Sequence, residues 1–252
     1  MTSVLEAKEI TSGYRGQPVI REISLRVESG EIVALLGANG AGKTTTLLAL
    51  VGELPLHAGE VHVAGKRMTS PLHKRAKRGL AFVPEGRSVF KAMSTADNLR
   101  VAHVEPADTL KLFPELETRM EISGGLLSGG EQRMLALGCA LGRDPRLLLA
   151  DEMSLGLAPM VVTRLFEAVR EAAARQGTGV LLVEQQVRKV LRYADRVYVM
   201  RRGRIAMEVS AQEARARISE IERGYLSHTV ATPGGDDVGT PKHPGPAEGE
   251  SA

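Results

Sequence analysis

The sequence predicts an α/β protein: a mostly parallel sheet flanked by helices, joined by an antiparallel β subdomain and an inserted α-helical subdomain. Three observations carry that expectation. Short, almost wholly apolar runs recur along the chain: IVALLG from Ile32, GLAFVP from Gly79, LLLADE from Leu147, GVLLVE from Gly179 and RVYVM from Arg196. Each has strand length, and longer helix-compatible stretches separate them, as in a sheet whose strands are buried on both faces. Ahead of the first run, VLEAKEI, PVIREISLRV and a Ser29-Gly30 turn look like antiparallel strands rather than a strand-helix-strand unit. Between Pro84 and Pro145 the composition shifts to a polar stretch, then to glycines followed by the helix-forming EQRMLALGCALGR, which we take as a helical insertion.

At 252 residues, 43% hydrophobic and 25% charged, the chain can bury a sizeable core. Its 33 basic and 30 acidic residues leave a formal net charge of +3, so no large one-signed surface is implied and nucleic acid is not an expected partner. The single cysteine, Cys139, cannot close an internal disulfide, which favours a reducing compartment. The opening MTSVLEAKEI carries charges where a secretory signal needs an apolar segment, and no stretch approaches the ~20 apolar residues that span a bilayer. The expectation is a cytoplasmic protein whose membrane role is peripheral. From Thr229 the sequence TPGGDDVGTPKHPGPAEGE offers almost nothing to bury and is expected to be disordered over 229–252.

The chemistry starts at Gly37-Ala38-Asn39-Gly40-Ala41-Gly42-Lys43-Thr44, which fits G-x-x-x-x-G-K-S/T directly between the apolar run IVALL and the helical TTTLLALVG. Glycines let such a loop wrap phosphate oxygens, its backbone N–H groups and the following helix N-terminus supply partial positive charge, and Lys43 adds a full one. Gly37, Asn39, Gly40, Ala41, Gly42, Lys43, Thr44 and Thr45 are therefore the expected ATP-binding residues, with Thr44 placed to hold Mg²⁺. A glycine-rich strand-to-helix turn without a ligand is the plain alternative. Together with the strand pattern, the loop points to a P-loop NTPase core of the RecA-like kind.

The run LLLA ends in Asp151-Glu152, and a carboxylate at a strand's carboxyl end can face the phosphate loop across the sheet. Asp151 is expected to hold Mg²⁺, directly or through water. Glu152 is placed to polarise the attacking water, since in-line phosphoryl transfer needs a base or orienting group opposite the leaving phosphate. An acidic pair at a helix N-terminus is the other reading.

Leu127-Ser128-Gly129-Gly130-Glu131-Gln132 supplies a second anion cradle, a serine and two glycines at a helix start. This LSGGEQ segment resembles the signature of the ABC ATPases, and its distance to Asp151 matches that family. The resemblance spans roughly 4–228 and implies an ABC ATPase domain over 1–228, with a core at 1–85 and 146–228 and a helical subdomain at 86–145. It also implies that Ser128, Gly129, Gly130 and Glu131 close on nucleotide held by a second ATPase subunit, in a head-to-tail dimer formed by ATP and released by hydrolysis. Tyr14 then falls where the family carries the aromatic that stacks on adenine, although a tyrosine packed at a strand edge is common.

Several positions depart from the common pattern. Val83-Pro84-Glu85-Gly86-Arg87 puts Glu85 where most ABC ATPases have a glutamine that touches Mg²⁺; a carboxylate can still coordinate, but adds negative charge beside a triphosphate. Leu182-Val183-Glu184-Gln185-Gln186 puts Gln185 at the usual switch histidine, where an amide can donate to a γ-phosphate oxygen but cannot carry charge. After Glu152, Met153 replaces the usual proline and Ala158 stands where an aspartate commonly crosses the dimer interface. VPEGR, SLGLAP and LVEQ together resemble one ATPase subunit of the branched-chain amino acid importers, a group with relatives moving urea or short amides; Met153 is unusual even there.

That resemblance implies two membrane permease subunits, a second ATPase, identical or not, and an extracytoplasmic solute-binding protein, with this chain on the cytoplasmic face of the inner membrane. The groove from Glu85 to Asn98, with Arg87, Val89, Phe90 and Met93, is the expected permease surface, though Phe90 fits a core role as well. A soluble ABC-type ATPase acting on DNA or ribosomes, a P-loop kinase or GTPase, an inactive relative and a non-hydrolysing ATP sensor are the competing readings. The first lacks here the usual insertions and cysteines, and the second the NKxD-like guanine motif.

Overall fold

The computed structural model describes residues 3–86 and 89–223. The chain opens with β1 (Ser3–Tyr14), β2 (Gln17–Glu28), β3 (Ile32–Gly37), α1 (Lys43–Val51), β4 (Leu56–Val63), β5 (Lys66–Arg67), α2 (Leu72–Ala76) and β6 (Leu80–Val83). It continues through α3 (Thr95–Val101), α4 (Pro106–Leu112), two 3-10 turns, α5 (Gly129–Leu141), β7 (Leu147–Asp151) and α6 (Pro159–Gln176). Then come β8 (Gly179–Glu184), α7 (Val187–Val190), β9 (Arg196–Arg201), β10 (Arg204–Ser210), α8 (Ala211–Ala216) and α9 (Ile218–Ile221).

All five apolar runs are strands of one six-stranded sheet of order β10-β9-β3-β8-β7-β6, parallel except where β10 turns back on β9. Alternate residues feed two cores. Ile32, Ala34 and Leu36 face one side with Leu148, Ala150, Val180 and Leu182, where α5 and α6 pack through Leu135, Leu141, Leu165 and Val169. Val33 and Leu35 face the other with Leu149, Leu181 and Val183, against Leu47 and Leu50 of α1. The second core is closed by a four-stranded antiparallel sheet of order β2-β1-β4-β5, contributing Leu5, Ile10, Ile23, Val27 and Val61. With both faces of the central strands covered, neither can be polar, which is why these strands read as unbroken apolar runs.

Two strands escape a reading by apolar runs. β4 starts LHAGE, largely exposed, and only its end is buried; β10 alternates exposed and half-buried residues along its length. β10 completes a sheet edge, where one-sided burial suffices, and β4 lies between β1 and the two-residue β5, with its first half left exposed. Among the described residues between β6 and β7 the regular structure is helical, joined by one isolated bridge between Ser94 and Ser123. There α4 and α5 approach closely: a Cβ on Gly138 would lie 2.5 Å from Thr109 Cγ2. The tail expected to be disordered, 229–252, and Arg87 lie outside the described residues.

Helix α1 is tied at both ends. Gly203, in the β9–β10 turn, donates its N–H to Ala41 O just ahead of the helix, at 2.9 Å. At the far end the buried Arg75 guanidinium donates to Leu50 O, to Ser70 O at 2.6 Å and to Met68 O at 3.1 Å, placing a cation against the helix's carbonyl pole.

Leu35, in the strand that leads into the phosphate loop, is fully buried. Leu35→Ala is expected to cost about 2–5 kcal/mol of stability through lost transfer energy and a residual cavity, read as a lower urea midpoint at unchanged slope.

Candidate nucleotide-binding and hydrolysis site

Parallel strands in register bring the carboxyl ends of β3, β8, β7 and β6 to one edge. Gly37 leaves β3 into a loop that becomes α1 at Lys43. Gly42 has φ +106, and a Cβ there would meet Ile20 Cγ2 at 2.8 Å, so both backbone and space demand glycine. Asn39 and Gly40 lie exposed at the loop's crest, Ala41, Gly42 and Thr45 are buried beneath it, and Thr44 is exposed at the helix start. Lys43, 5% exposed, turns its ammonium into the loop, donating to Gly37 O at 2.9 Å and Ala38 O at 3.2 Å.

The same ammonium lies 3.8 Å from Glu152 Oε1, and Gln185 Nε2 donates to that oxygen at 2.7 Å. Loop, end of β7 and end of β8 thus converge on one carboxylate. Burial holds the Lys43 pKa below its usual value against the opposing pull of Glu152, Asp151 and Glu184. Asp151 is buried, which raises its pKa; the Thr44 hydroxyl hydrogen-bonds its carboxylate and Lys43 opposes the rise, while Glu152 and Glu85 add to it. Asp151 Oδ1 is buried with no hydrogen-bond partner. An orphaned carboxylate oxygen beside a threonine hydroxyl is a donor pair that suits Mg²⁺, which takes one or two protein oxygens and completes its shell with phosphate and water. Glu85 is exposed; its side chain reaches this cluster through charge, raising the Asp151 pKa.

Two features were not anticipated. Glu184, 1% exposed, accepts from Ser154 N at 3.0 Å and Ser154 Oγ at 2.7 Å, fastening the turn after β7 to the end of β8. Burial pushes its pKa up to about 7, overriding those two hydrogen bonds. In sequence it stood only as part of LVEQ; an acid ending an otherwise apolar strand was the available signal. The other is Arg133, on the α5 face turned toward Pro84, Glu85 and Glu152, whose carbonyls it reaches. Nothing in the sequence separates it from an ordinary helix-surface arginine.

The second cradle stands apart. Ser128 caps α5 in a reciprocal box, accepting from Glu131 N at 3.2 Å while Glu131 Oε2 accepts from Ser128 N at 2.7 Å. Arg119 pairs with Glu131 at 2.8 Å and holds its carboxyl below the usual pKa range. Ser128 and Gly129 are exposed, and among the described residues no hydrogen bond or ion pair joins Ser128, Gly129, Gly130 or Glu131 to the Lys43 cluster. Tyr14, 48% exposed where the β1–β2 hairpin closes opposite Gln17, is likewise without such a link.

A phosphate loop facing an Asp-Glu pair across a parallel sheet defines a nucleoside triphosphatase of the P-loop class. Comparison narrows the class. The ABC transporter family profile matches residues 20–154. The chain is 40% identical over 214 residues to BraG of Pseudomonas aeruginosa, a high-affinity branched-chain amino acid transport ATP-binding protein, covering 81% of this chain and 91% of that one. It is 36% identical over 240 residues to LptB of Escherichia coli, a lipopolysaccharide export system ATP-binding protein, covering 89% and 97%. Among solved structures, an ATP-binding subunit of an ABC transporter superposes with a TM-score of 0.75 at 28% identity, over 86% of this chain and 93% of that one. The chain belongs to the ABC transporter family and is an ATP-binding, ATP-hydrolysing subunit.

The Glu184 shift gives a signed pH dependence. Its folded pKa of about 7 lies above the ordinary 4.5, so between those values the folded state holds the proton more tightly and stability falls as pH rises. Below that window Glu184 contributes no penalty, and above it the penalty is complete. The stability of the wild type minus that of Glu184→Gln is expected to fall by up to roughly 3 kcal/mol across the window in urea titrations.

Proposed function

We propose that this chain powers an importer of branched-chain amino acids or related small amides, binding MgATP on its own phosphate loop and capping a second ATPase subunit's nucleotide with Ser128. The observation that carries the hydrolytic part is the convergence of Lys43 and Gln185 on Glu152, at 3.8 and 2.7 Å. The likeness to BraG supports the solute class, and the likeness to LptB leaves export as the second reading. Either direction would use the same engine, because the ATPase does not touch the cargo.

In this reading the phosphates lie along Gly37, Asn39, Gly40, Ala41 and Gly42, with Lys43 against the β- and γ-groups and Tyr14 against the adenine. Thr44, Asp151 and Glu85 would hold Mg²⁺, which supplies charge neutralisation across the β- and γ-phosphates. Thr45 follows in the first turn of α1 as a further phosphate contact. Glu152 takes a proton from the attacking water as its oxygen bonds to the γ-phosphorus and the bridging P–O bond to ADP breaks. Gln185 orients Glu152 and donates to the γ-phosphate. Ser128, Gly129, Gly130 and Glu131 of one subunit close over the nucleotide of the other.

We place the chain on the cytoplasmic face of the inner membrane, with two permease subunits and an extracytoplasmic solute-binding protein; no described helix is long and apolar enough to cross a membrane. Phe90 and Met93, 57% and 39% exposed, support the groove from Glu85 to Asn98 as the permease-facing surface. We keep the division into a core at 1–85 and 146–228 and a helical subdomain at 86–145, consistent with the run of helices between β6 and β7.

Glu152→Gln is expected to lower phosphate release by about 10²–10⁴-fold while ATP binding persists and a dimer accumulates, read by chromatography with and without MgATP. Copurification of the membrane subunits, followed by uptake in vesicles, tests the cargo: accumulation of leucine dependent on Lys43 supports import, and outward movement of lipid would replace it. Gln185→His is expected to raise turnover, since an imidazole can carry charge at the γ-phosphate; an unchanged rate would discard the idea that Gln185 slows this pocket.

A further inference from the structure

The half-buried Arg133 side chain turns inward from α5. It leaves α5 five residues after Ser128 and spreads over the ends of two strands, donating to Pro84 O at 2.8 Å, to Glu85 O, and to Glu152 O at 3.4 Å. Its three acceptors belong to the segments that follow β6 and β7, so one side chain joins both to α5. Glu152 has φ +49, a left-handed conformation that costs a non-glycine residue about 1–3 kcal/mol and persists only where its surroundings over-determine it. Its N–H is held by Val183 O at 2.9 Å, and its carbonyl faces Arg133. The guanidinium fork is a planar set of five donors held in fixed directions, so one side chain can reach carbonyls on separate segments that a compact lysine ammonium does not span in the same geometry.

We infer that Arg133 is a positioning residue for ATP hydrolysis: it clamps the backbone of Glu152 and Glu85 to the helix that carries the Ser128 cradle. The inference rests on the proposed role of Glu152 as the water-activating carboxylate. It follows that the orientation of the base in one pocket is set by the same rigid helix whose first turn caps the neighbour's nucleotide. Arg133 itself touches no reacting atom. Burial holds its pKa below the ordinary arginine value, but Glu85, Glu184 and Asp151 pull it back.

The test is a double-mutant cycle on the full chain, using Arg133→Ala with and without Glu152→Gln. Arg133→Ala is expected to lower kcat at least tenfold while KM for ATP and the affinity for a fluorescent ATP analogue stay within about threefold. Arg133→Lys should recover part of the loss. In the Glu152→Gln background, where single-turnover cleavage of radiolabelled ATP reads the residual rate, Arg133→Ala should add little, because groups acting as one unit are non-additive. An unchanged kcat would overturn the inference, as would an equal fold-loss in both backgrounds, or a loss of nucleotide binding in step with a lower Tm. If Glu152→Gln alone leaves kcat intact while Arg133→Ala still lowers it, the assignment of the base fails, and the Arg133 clamp stands through Glu85.

Discussion

The constraint on which the rest depends is that parallel strands must be covered on both faces. β3, β8, β7 and β6 run side by side in one direction, so helices and a second sheet have to seal both surfaces, leaving the carboxyl edge as the place where polar groups can gather. The polar residues of the cluster enter from that edge: Lys43 after β3, Asp151 and Glu152 at the end of β7, Glu184 and Gln185 at the end of β8. The strand order matters as much as the direction. β8 lies between β3 and β7, so whatever residue ends β8 must stand between the phosphate loop and the acidic pair.

That crowding sets the electrostatics. One buried ammonium and three acidic side chains share a small volume, and burial shifts Lys43 down while shifting Asp151 and Glu184 up. Each shift disfavours charge, and each is opposed by a neighbour of opposite sign or by a hydrogen bond. A cluster balanced in this way responds strongly to a change in any one member, which suits a site meant to take on a polyanion and a divalent cation together.

Much of this was legible in the sequence. Ile32–Gly37, Leu147–Asp151 and Gly179–Glu184 announced themselves because burial on both faces leaves no room for a polar residue, and the phosphate loop because glycine spacing and a Lys-Thr pair coincide with a strand-to-helix change. β10 was silent because an edge strand needs only one apolar side, and β4 because its first half is exposed. Glu184 and Arg133 were hidden for a different reason: their importance lies in which backbone groups they meet, and Ser154, Pro84 and Glu85 are distant in sequence. The LSGGEQ segment could be read as a capped helix start, and so it is, but its proposed ligand belongs to another chain, and a single subunit can only present it outward.

The tethering of α1 carries a further implication. Gly203 grips the loop ahead of the helix and Arg75 grips the Leu50 carbonyl in its last turn, so the phosphate-binding element is suspended between the β9–β10 turn and the segment before β6. A beam fixed at both supports cannot relax by sliding, and strain introduced at either anchor is passed along its length. The placement of the phosphate-binding turn thus depends on a guanidinium one helix-length away as well as on its own glycines.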